Sequence, residues 1–199
     1  MSKESIDSIS WSCHKQDKAV LIGTGLDSNV YRLGDFVVKN YKFVSYDDLM
    51  PELNKDLLIS YYQITNLAQK FVDENPLFLH LRYSKSLPLT INPFLEMHEC
   101  DACGGIEGVA HYINGPNLKS MSAKFRDIKM EDMLSFVSRK LENRLKVRGI
   151  DIIPENVKVS DQGSLIVTDL CADISILRSY SEVTPSNSSS EDVAISFVA

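Results

Sequence analysis

Two carboxylates and one amide near the C-terminal end of the sequence have types and spacing that suit phosphoryl transfer. Asp151 precedes Asn156 by five residues, and Asp169 follows further along the chain. Phosphoryl transfer asks for positioned charge and metal ligands more than for covalent chemistry, and carboxylates and amides supply both. Taken singly, an aspartate such as Asp151 is more often a turn residue and an asparagine such as Asn156 more often a cap, so the elements around them decide the interpretation.

A predicted hairpin connects the amide to the second carboxylate. Two short apolar alternations, Asn156–Val159 and Leu165–Val167, are separated by the turn sequence Ser160–Ser164. Alternating runs bounded by such a turn are typical of a β-hairpin. The hairpin would bring Asn156 near Asp169, which favours a site over a chance spacing.

A glycine-containing segment near the N-terminus has the second informative spacing. A predicted strand, Ala19–Ile22, is followed by Gly23-Thr24-Gly25-Leu26-Asp27-Ser28-Asn29-Val30, and Phe36–Lys39 then forms another apolar run that ends in a lysine. Glycines let backbone N–H groups approach phosphate oxygens. The alternation after Ser28 predicts a strand, whereas a dinucleotide-binding loop would open a helix. A two-glycine loop by itself is more often only a hairpin.

In this order the motifs resemble those of the protein-kinase-like superfamily, over roughly residues 17–178, and they are most similar to small, atypical bacterial or phage members. The resemblance implies that ATP and Mg²⁺ are the cofactors. It implies that Asp151 and Lys39 are the catalytic residues and that Asn156 and Asp169 are the metal ligands. The nucleotide-binding residues that it implies are Gly23, Gly25, Ser28, Val30, Lys39 and Tyr112.

The chain departs from the family pattern around the Asp151 loop. Gly149 and Ile150 stand where a histidine and an arginine are expected, and Ile153 replaces the usual lysine. Cys171 replaces the glycine after the metal-binding aspartate, and no A-P-E motif follows. We therefore expect a poorly braced loop and a reduced platform for a peptide substrate.

The fold class predicted from these segments is α+β, with an N-terminal antiparallel sheet of about five strands, one long helix on it and a reduced helical second lobe. The predicted boundaries are an N-terminal arm or added edge strand at 1–16, an N-lobe at 17–113, a C-lobe at 114–180 and a flexible tail at 181–199. No internal repeat is evident.

A long helix is predicted from Glu52 to Asp73. Its apolar stripe comprises Leu53, Leu57, Ile64, Leu67, Ala68 and Phe71. In the kinase-like family this helix carries the acidic partner of the lysine. Glu52 is a candidate, Gln63 or its neighbours could take that place, and Glu52 is equally well only a first-turn residue favoured by the helix dipole.

Residues 89–97 and 106–113 are predicted to form paired strands that lead into a hinge at Asn114–Leu118. The backbone near Tyr112 would then hydrogen-bond the edge of an adenine. A Gly-Pro turn is also ordinary loop punctuation, but its position before the next helix favours the hinge.

A second helix is predicted from Met130 to Val147, with an apolar face of Met133, Leu134, Val137, Leu141 and Leu145. Gly149 is expected to be its C-cap and to deliver the chain into the Asp151 loop.

Cys100 and Cys103 resemble one knuckle of a zinc ribbon, with His98 nearby. A tetrahedral structural zinc site needs four ligands, usually from two such pairs, and the sequence contains no second C-x-x-C. A hairpin turn rich in glycine explains the pair without a metal, and both interpretations stay open.

Composition limits the partners. The net charge of −6 and the pI near 5.2 argue against nucleic acid, which requires a basic face. No apolar run has the length of a membrane span, and residues 1–5 lack the apolar core of a signal peptide. We expect a cytoplasmic protein with reduced cysteines, ATP as its ligand and a protein as a further substrate or partner.

Three functions follow from the sequence. The first is an ATP-dependent kinase acting on a hydroxyl, and the second is a nucleotide-binding pseudokinase that serves as a regulatory or interaction module. The third is a binding protein that uses the lobe only as a scaffold. The presence of Lys39, Asp151, Asn156 and Asp169 favours the first, and the reduced second lobe favours the second.

Overall fold

The computed structural model describes residues 19–25, 28–41, 51–80, 86–99, 106–125, 128–171 and 178–179. The fold is mixed α+β, as the sequence predicts. Among these residues, no helix is both long enough and apolar enough to cross a membrane.

The elements follow one another in chain order, with a short 3₁₀ turn at Pro154–Asn156 before β9. Their bounds are β1 (Val20–Thr24), β2 (Ser28–Leu33), β3 (Phe36–Tyr41), α1 (Pro51–Glu74), β4 (Leu77–His80), β5 (Ser86–Ile91), β6 (Phe94–Glu99), β7 (Ile106–His111), α2 (Leu118–Phe125), α3 (Ile128–Leu145), β8 (Val147–Arg148), β9 (Val157–Val159), β10 (Leu165–Val167) and β11 (Arg178–Ser179).

The N-terminal sheet has five strands in the order β1-β2-β3-β7-β6, and every neighbouring pair is antiparallel. This confirms the predicted antiparallel sheet. Its register places Gly23, Val30, Lys39 and Gly108 in one row across four strands. Gly23 in the glycine hairpin and Lys39 on β3 therefore lie at the same level along the strands of the sheet.

The predicted single strand at 89–97 is wrong, because two strands belonging to different sheets meet there. β5 ends at Ile91 and lies in a second sheet of order β4-β5-β10-β9, whereas β6 begins at Phe94. The Asn92-Pro93 step separates them, since proline has no N–H to donate to a sheet ladder. Asn92 donates its own N–H to the carbonyl of Val167 at 2.8 Å.

Helix α1 has the predicted length, but its buried face differs from the predicted stripe. The buried residues of its described part are Leu58, Tyr61, Ile64, Thr65, Ala68 and Val72. Leu67, expected inside, is 53% exposed. The true face includes a tyrosine and a threonine, which a count of apolar residues leaves out.

Helix α3 ends earlier than predicted, so Gly149 is not its C-cap. The last helical residue is Leu145, and Lys146 takes the left-handed conformation (φ 56°) that commonly terminates a helix. β8 follows and pairs with β11. Gly149 has a positive φ of its own (93°) two residues before the Asp151 loop.

One hydrophobic core runs through α1, the second sheet and α3. Its fully buried members include Ala68, Leu89, Leu141, Val157 and Leu165. The hairpin β9–β10 is thus packed on the same core as α1, which fixes the loop after β10 against the helix. The predicted apolar segment Ile174–Leu177 and the predicted terminal arm and tail lie outside the described residues.

Candidate functional site

A buried lysine and an aspartate form the centre of the site. Lys39 Nζ on β3 lies 2.7 Å from Asp169 Oδ2, just after β10, and 3.3 Å from the carbonyl oxygen of Thr168. Lys39 is only 8% exposed, and a buried ammonium is tolerated only when it is paired. The structure brings together the two residues that the sequence predicts to face each other.

Helix α1 contributes a phenol to this centre. The Tyr61 hydroxyl donates to Asp169 Oδ1 and accepts the backbone N–H of Leu170 at 3.1 Å. Complete burial raises the pKa of Tyr61 well above its usual value of 10.0, and the Asp169 carboxylate raises it further. Gln63, a candidate partner of the lysine, is exposed, and the side chain of Glu52 lies outside the described residues.

Phe94 at the start of β6 supports both groups. Its ring meets the Tyr61 ring edge to face, with centroids 5.8 Å apart, and the Lys39 ammonium lies 5.7 Å from its centroid. Gly108 on β7 leaves room for this ring, because a Cβ there would come within 2.8 Å of Phe94. The lysine and the tyrosine are therefore held on one rigid aromatic surface.

The Asp151 loop lies next to this centre and exposes its carboxylate. Ile150 and Ile152 are buried on either side of an exposed Asp151. The Asp151 N–H donates to the carbonyl of Leu170 at 2.8 Å, which ties this loop to the residue after Asp169. A carboxylate exposed on a fixed backbone can reach a substrate proton.

Two side chains of α3 brace the loop, contrary to the expectation that it lacks support. Glu142 Oε1 accepts the N–H groups of Gly149 (2.6 Å) and Ile150 (3.1 Å), and Ser138 Oγ accepts that of Ile152 (2.9 Å). Sequence reasoning missed both residues. The sequence signal that could have identified them is the spacing of four residues between Ser138 and Glu142, which places two polar side chains on the apolar face of α3.

The hairpin bonds the backbone of Asn156 to Thr168, the residue before Asp169. The Asn156 carbonyl accepts both the N–H (2.8 Å) and the hydroxyl (3.0 Å) of Thr168. One carboxylate and one amide oxygen are hard donors that suit Mg²⁺. Within the described part of the chain, no group of three or more His, Cys, Asp or Glu side chains could hold a metal ion.

The glycine hairpin closes at Gly25, whose N–H donates to the Ser28 carbonyl at 2.8 Å. Ser28, which stands at the third glycine position, is buried at the start of β2. The register of β2 and β3 pairs Val30 with Lys39.

The amide predicted to meet adenine is already engaged. Tyr112 donates its N–H to the Asp35 carbonyl at 2.8 Å, and the Arg32 guanidinium lies 4.0 Å from the centre of the Tyr112 ring. Adenine recognition by this N–H would require that bond to break. The segment after β7 does connect to α2 at the predicted hinge position.

The predicted cysteine pair, Cys100 and Cys103, lies outside the described residues. Nε2 of His98, the nearby histidine, is 3.3 Å from Oε2 of the fully buried Glu107.

No family model matches the chain, and no curated protein matches it. Among solved structures, the chain is similar to the PknI kinase domain of Mycobacterium tuberculosis, solved as a double mutant, with a TM-score of 0.45 and 14% identity. The match covers 79% of this chain and 62% of that one, so this chain spans less than two thirds of the kinase domain.

Proposed function

We propose that this protein binds ATP with Mg²⁺ and transfers a phosphoryl group to a hydroxyl of its substrate. The observation that carries the proposal is the ion pair of Lys39 with Asp169. The residues on either side of Asp169 are hydrogen-bonded to the Asp151 loop and to Asn156. Asp151 is bonded to Leu170, and Asn156 to Thr168. Asp169 therefore stands between two backbone links that join it to both other candidate residues.

Each side chain has a distinct role in this proposal. Lys39 neutralises phosphate charge, for which its place in the row with Gly23 and Val30 is suited. Asp151, exposed between two buried isoleucines, accepts the proton of the attacking hydroxyl. Such a reaction depends on positioning and electrostatics, which hydrogen-bonded backbone provides.

Asn156 and Asp169 would hold the metal. Bound Mg²⁺ neutralises charge on the phosphate oxygens. Asp169 Oδ2 is occupied by Lys39 in this structure, so Lys39 must turn to the phosphates before that oxygen is available. Since one ion pair would have to open to free both the ammonium of Lys39 and the carboxylate of Asp169, the binding of ATP and of Mg²⁺ would be cooperative.

The second candidate is a nucleotide-binding pseudokinase. It is favoured by Ile153, an apolar residue where the family resemblance places a lysine, and by the phenol that α1 directs at Asp169. Both candidates require nucleotide binding, and they differ only in turnover.

Turnover is tested with Asp151→Asn. We expect wild type to transfer phosphate to an added hydroxyl acceptor or to water, and Asp151→Asn to be slower by about 10²-fold or more, the usual contribution of a positioned base. ATP hydrolysis is followed by release of radiolabelled phosphate.

Asp161→Asn is the matched control, since Asp161 is an exposed aspartate in the turn between β9 and β10. It should retain the wild-type rate. Equal rates for wild type and Asp151→Asn would reject phosphoryl transfer and leave the pseudokinase.

A further inference from the structure

The Asp169 carboxylate has different neighbours at its two oxygens. Oδ1 accepts the Tyr61 hydroxyl, and Oδ2 accepts Lys39 Nζ at 2.7 Å. One neighbour is neutral and part of a buried helix face, and the other is a charged side chain on a strand. A ligand that attracts the ammonium would therefore change the surroundings of Oδ2 and leave those of Oδ1 in place.

Tyr61 is well suited to hold its oxygen. It is 1% exposed, and its ring packs edge to face on Phe94 at a centroid distance of 5.8 Å. Its hydroxyl also accepts the Leu170 N–H at 3.1 Å. The single hydroxyl thus fixes both the side chain of Asp169 and the peptide that follows it.

We infer that Tyr61 is a positioning residue that holds Oδ1 of Asp169, so that Oδ2 is the oxygen presented to Mg²⁺ when Lys39 moves to the nucleotide. This inference rests on the proposed function and assigns to α1 a role that no acidic residue in its described part fills. A donor that orients a metal-binding carboxylate tunes the affinity of the site, and loss of such a donor typically costs about 10- to 100-fold in metal affinity.

The test compares Tyr61→Phe with wild type. The substitution removes the hydroxyl and keeps the ring on Phe94, so the core should remain filled. We expect the Mg²⁺ concentration that half-saturates the ATP complex to rise by about 10-fold or more, while the affinity for ATP without Mg²⁺ stays close to that of wild type.

Tyr62→Phe is the control on the same helix. Tyr62 is half-buried and lines a surface cavity of about 410 Å³ together with Ile59 and Met97. Its hydroxyl should have no effect on the magnesium titration.

A second measurement does not depend on nucleotide. Hydrogen exchange of the Leu170 amide, followed by NMR without ligand, should accelerate about tenfold in Tyr61→Phe, because the amide loses its acceptor. In wild type the same amide should stay protected after Mg²⁺ and ATP are added, since the inference keeps the Tyr61 hydroxyl in place.

The possible outcomes distinguish failure of the Tyr61 inference from failure of the proposed function. Normal Mg²⁺–ATP binding by wild type with an unchanged magnesium titration in Tyr61→Phe would overturn the inference alone, as would loss of Leu170 protection when wild type binds Mg²⁺–ATP. Absence of ATP binding by wild type would overturn the proposed function, and the inference with it, even where Leu170 exchange confirms the hydrogen bond.

Discussion

The Tyr61 hydroxyl is shared between the Asp169 carboxylate and the Leu170 amide, so one side chain of α1 joins the helix to the segment after β10. Lys39 completes the group by pairing with the other carboxylate oxygen. Removal of the Asp169 carboxylate would leave the buried Lys39 ammonium without its counter-ion, and removal of the Tyr61 hydroxyl would leave the buried Leu170 N–H without its acceptor. A buried polar group left without its partner costs more than the bond itself contributes, so Asp169 and Tyr61 are sensitive to substitution.

The raised pKa of Tyr61 predicts a loss of stability at high pH. Burial and the Asp169 carboxylate keep the folded phenol protonated above 10.0, while the unfolded phenol ionises near that value. Ionisation then favours the unfolded state, so the contribution of this group is complete below about pH 10 and declines as the pH rises towards the folded pKa.

Denaturant unfolding of wild type and Tyr61→Phe from about pH 8 to about pH 11 measures this contribution. The difference in free energy of unfolding between the two proteins should be constant at first and then shift in favour of Tyr61→Phe. Parallel curves over the whole range would contradict the raised pKa.

At the scale of elements, α3 determines the shape of the Asp151 loop. Glu142 and Ser138 accept three loop amides, those of Gly149, Ile150 and Ile152. The loop is thus held by helix side chains that are hydrogen-bonded to its backbone.

Glu142→Ala should destabilise the protein by about 1–3 kcal/mol, because it leaves two partly buried N–H groups without their acceptor. The proposed phosphoryl transfer should fall as well, since the backbone of Asp151 loses its support. Asn143→Ala, at the exposed neighbouring position of the same helix, is the control and should change little. Equal free energies of unfolding for both variants would show that Glu142 does not brace the loop.

The segment between β7 and α2, predicted from the sequence to be a hinge, is fixed to the hairpin β9–β10 through Gly115. Its φ is 137°, and a Cβ there would lie 2.2 Å from the Val159 carbonyl oxygen. The Val159 N–H also donates to the Pro116 carbonyl at 3.0 Å, and Lys158 Nζ donates to that of Gly115 at 3.0 Å. The segment between β7 and α2 is therefore held against β9 by two hydrogen bonds.

Gly115→Ala should be markedly more destabilising than Gly163→Ala. Both positions have positive φ (137° and 78°), which strains an L residue. A Cβ at Gly163 meets nothing within 4 Å, whereas one at Gly115 would also clash with the Val159 carbonyl. Thermal unfolding of the two variants measures the difference. Equal melting temperatures would contradict the close approach.

Elements with local signals were predictable from the sequence. The first three strands, α1 and the hairpin β9–β10 were found because apolar periodicity and turn residues lie within each segment. The parallel pairing of β5 with β10 was missed, since it joins residues 86–91 to 165–167 and leaves no local pattern. The break at Asn92-Pro93 was missed because the residues before it and the residues after it both have the pattern of a β-strand.

The residues of the candidate site also divide into those with a local sequence signal and those without one. Lys39, Asp151, Asn156 and Asp169 were found from their spacing, although their roles stay predictions. Tyr61, Ser138 and Glu142 were missed because each acts through a backbone or side-chain contact that only the packed helices create. The buried face of α1 could not be read from leucines alone, as Leu67 at 53% exposure demonstrates.

At the scale of the whole molecule, one core connects α1 and α3 to the second sheet, and Lys39, Tyr61 and Asp169 meet between these elements and the N-terminal sheet. Lys39 comes from the N-terminal sheet, Tyr61 from α1, and Asp169 from the segment after β10. Binding of a ligand at this point contacts all three elements and should stabilise them together.

The central claim is that ATP and Mg²⁺ together replace the Lys39–Asp169 ion pair. Calorimetric titration of ATP into the protein with and without Mg²⁺ tests it most directly, with Asp169→Asn as the variant and Asp161→Asn as its control. Asp169→Asn retains an oxygen for the Tyr61 hydroxyl, so it disturbs the fold less than alanine would. We expect Mg²⁺ to raise the affinity of wild type and of the control for ATP by roughly tenfold or more, and to have little effect in Asp169→Asn. Equal affinity of wild type for ATP with and without Mg²⁺ would contradict the claim.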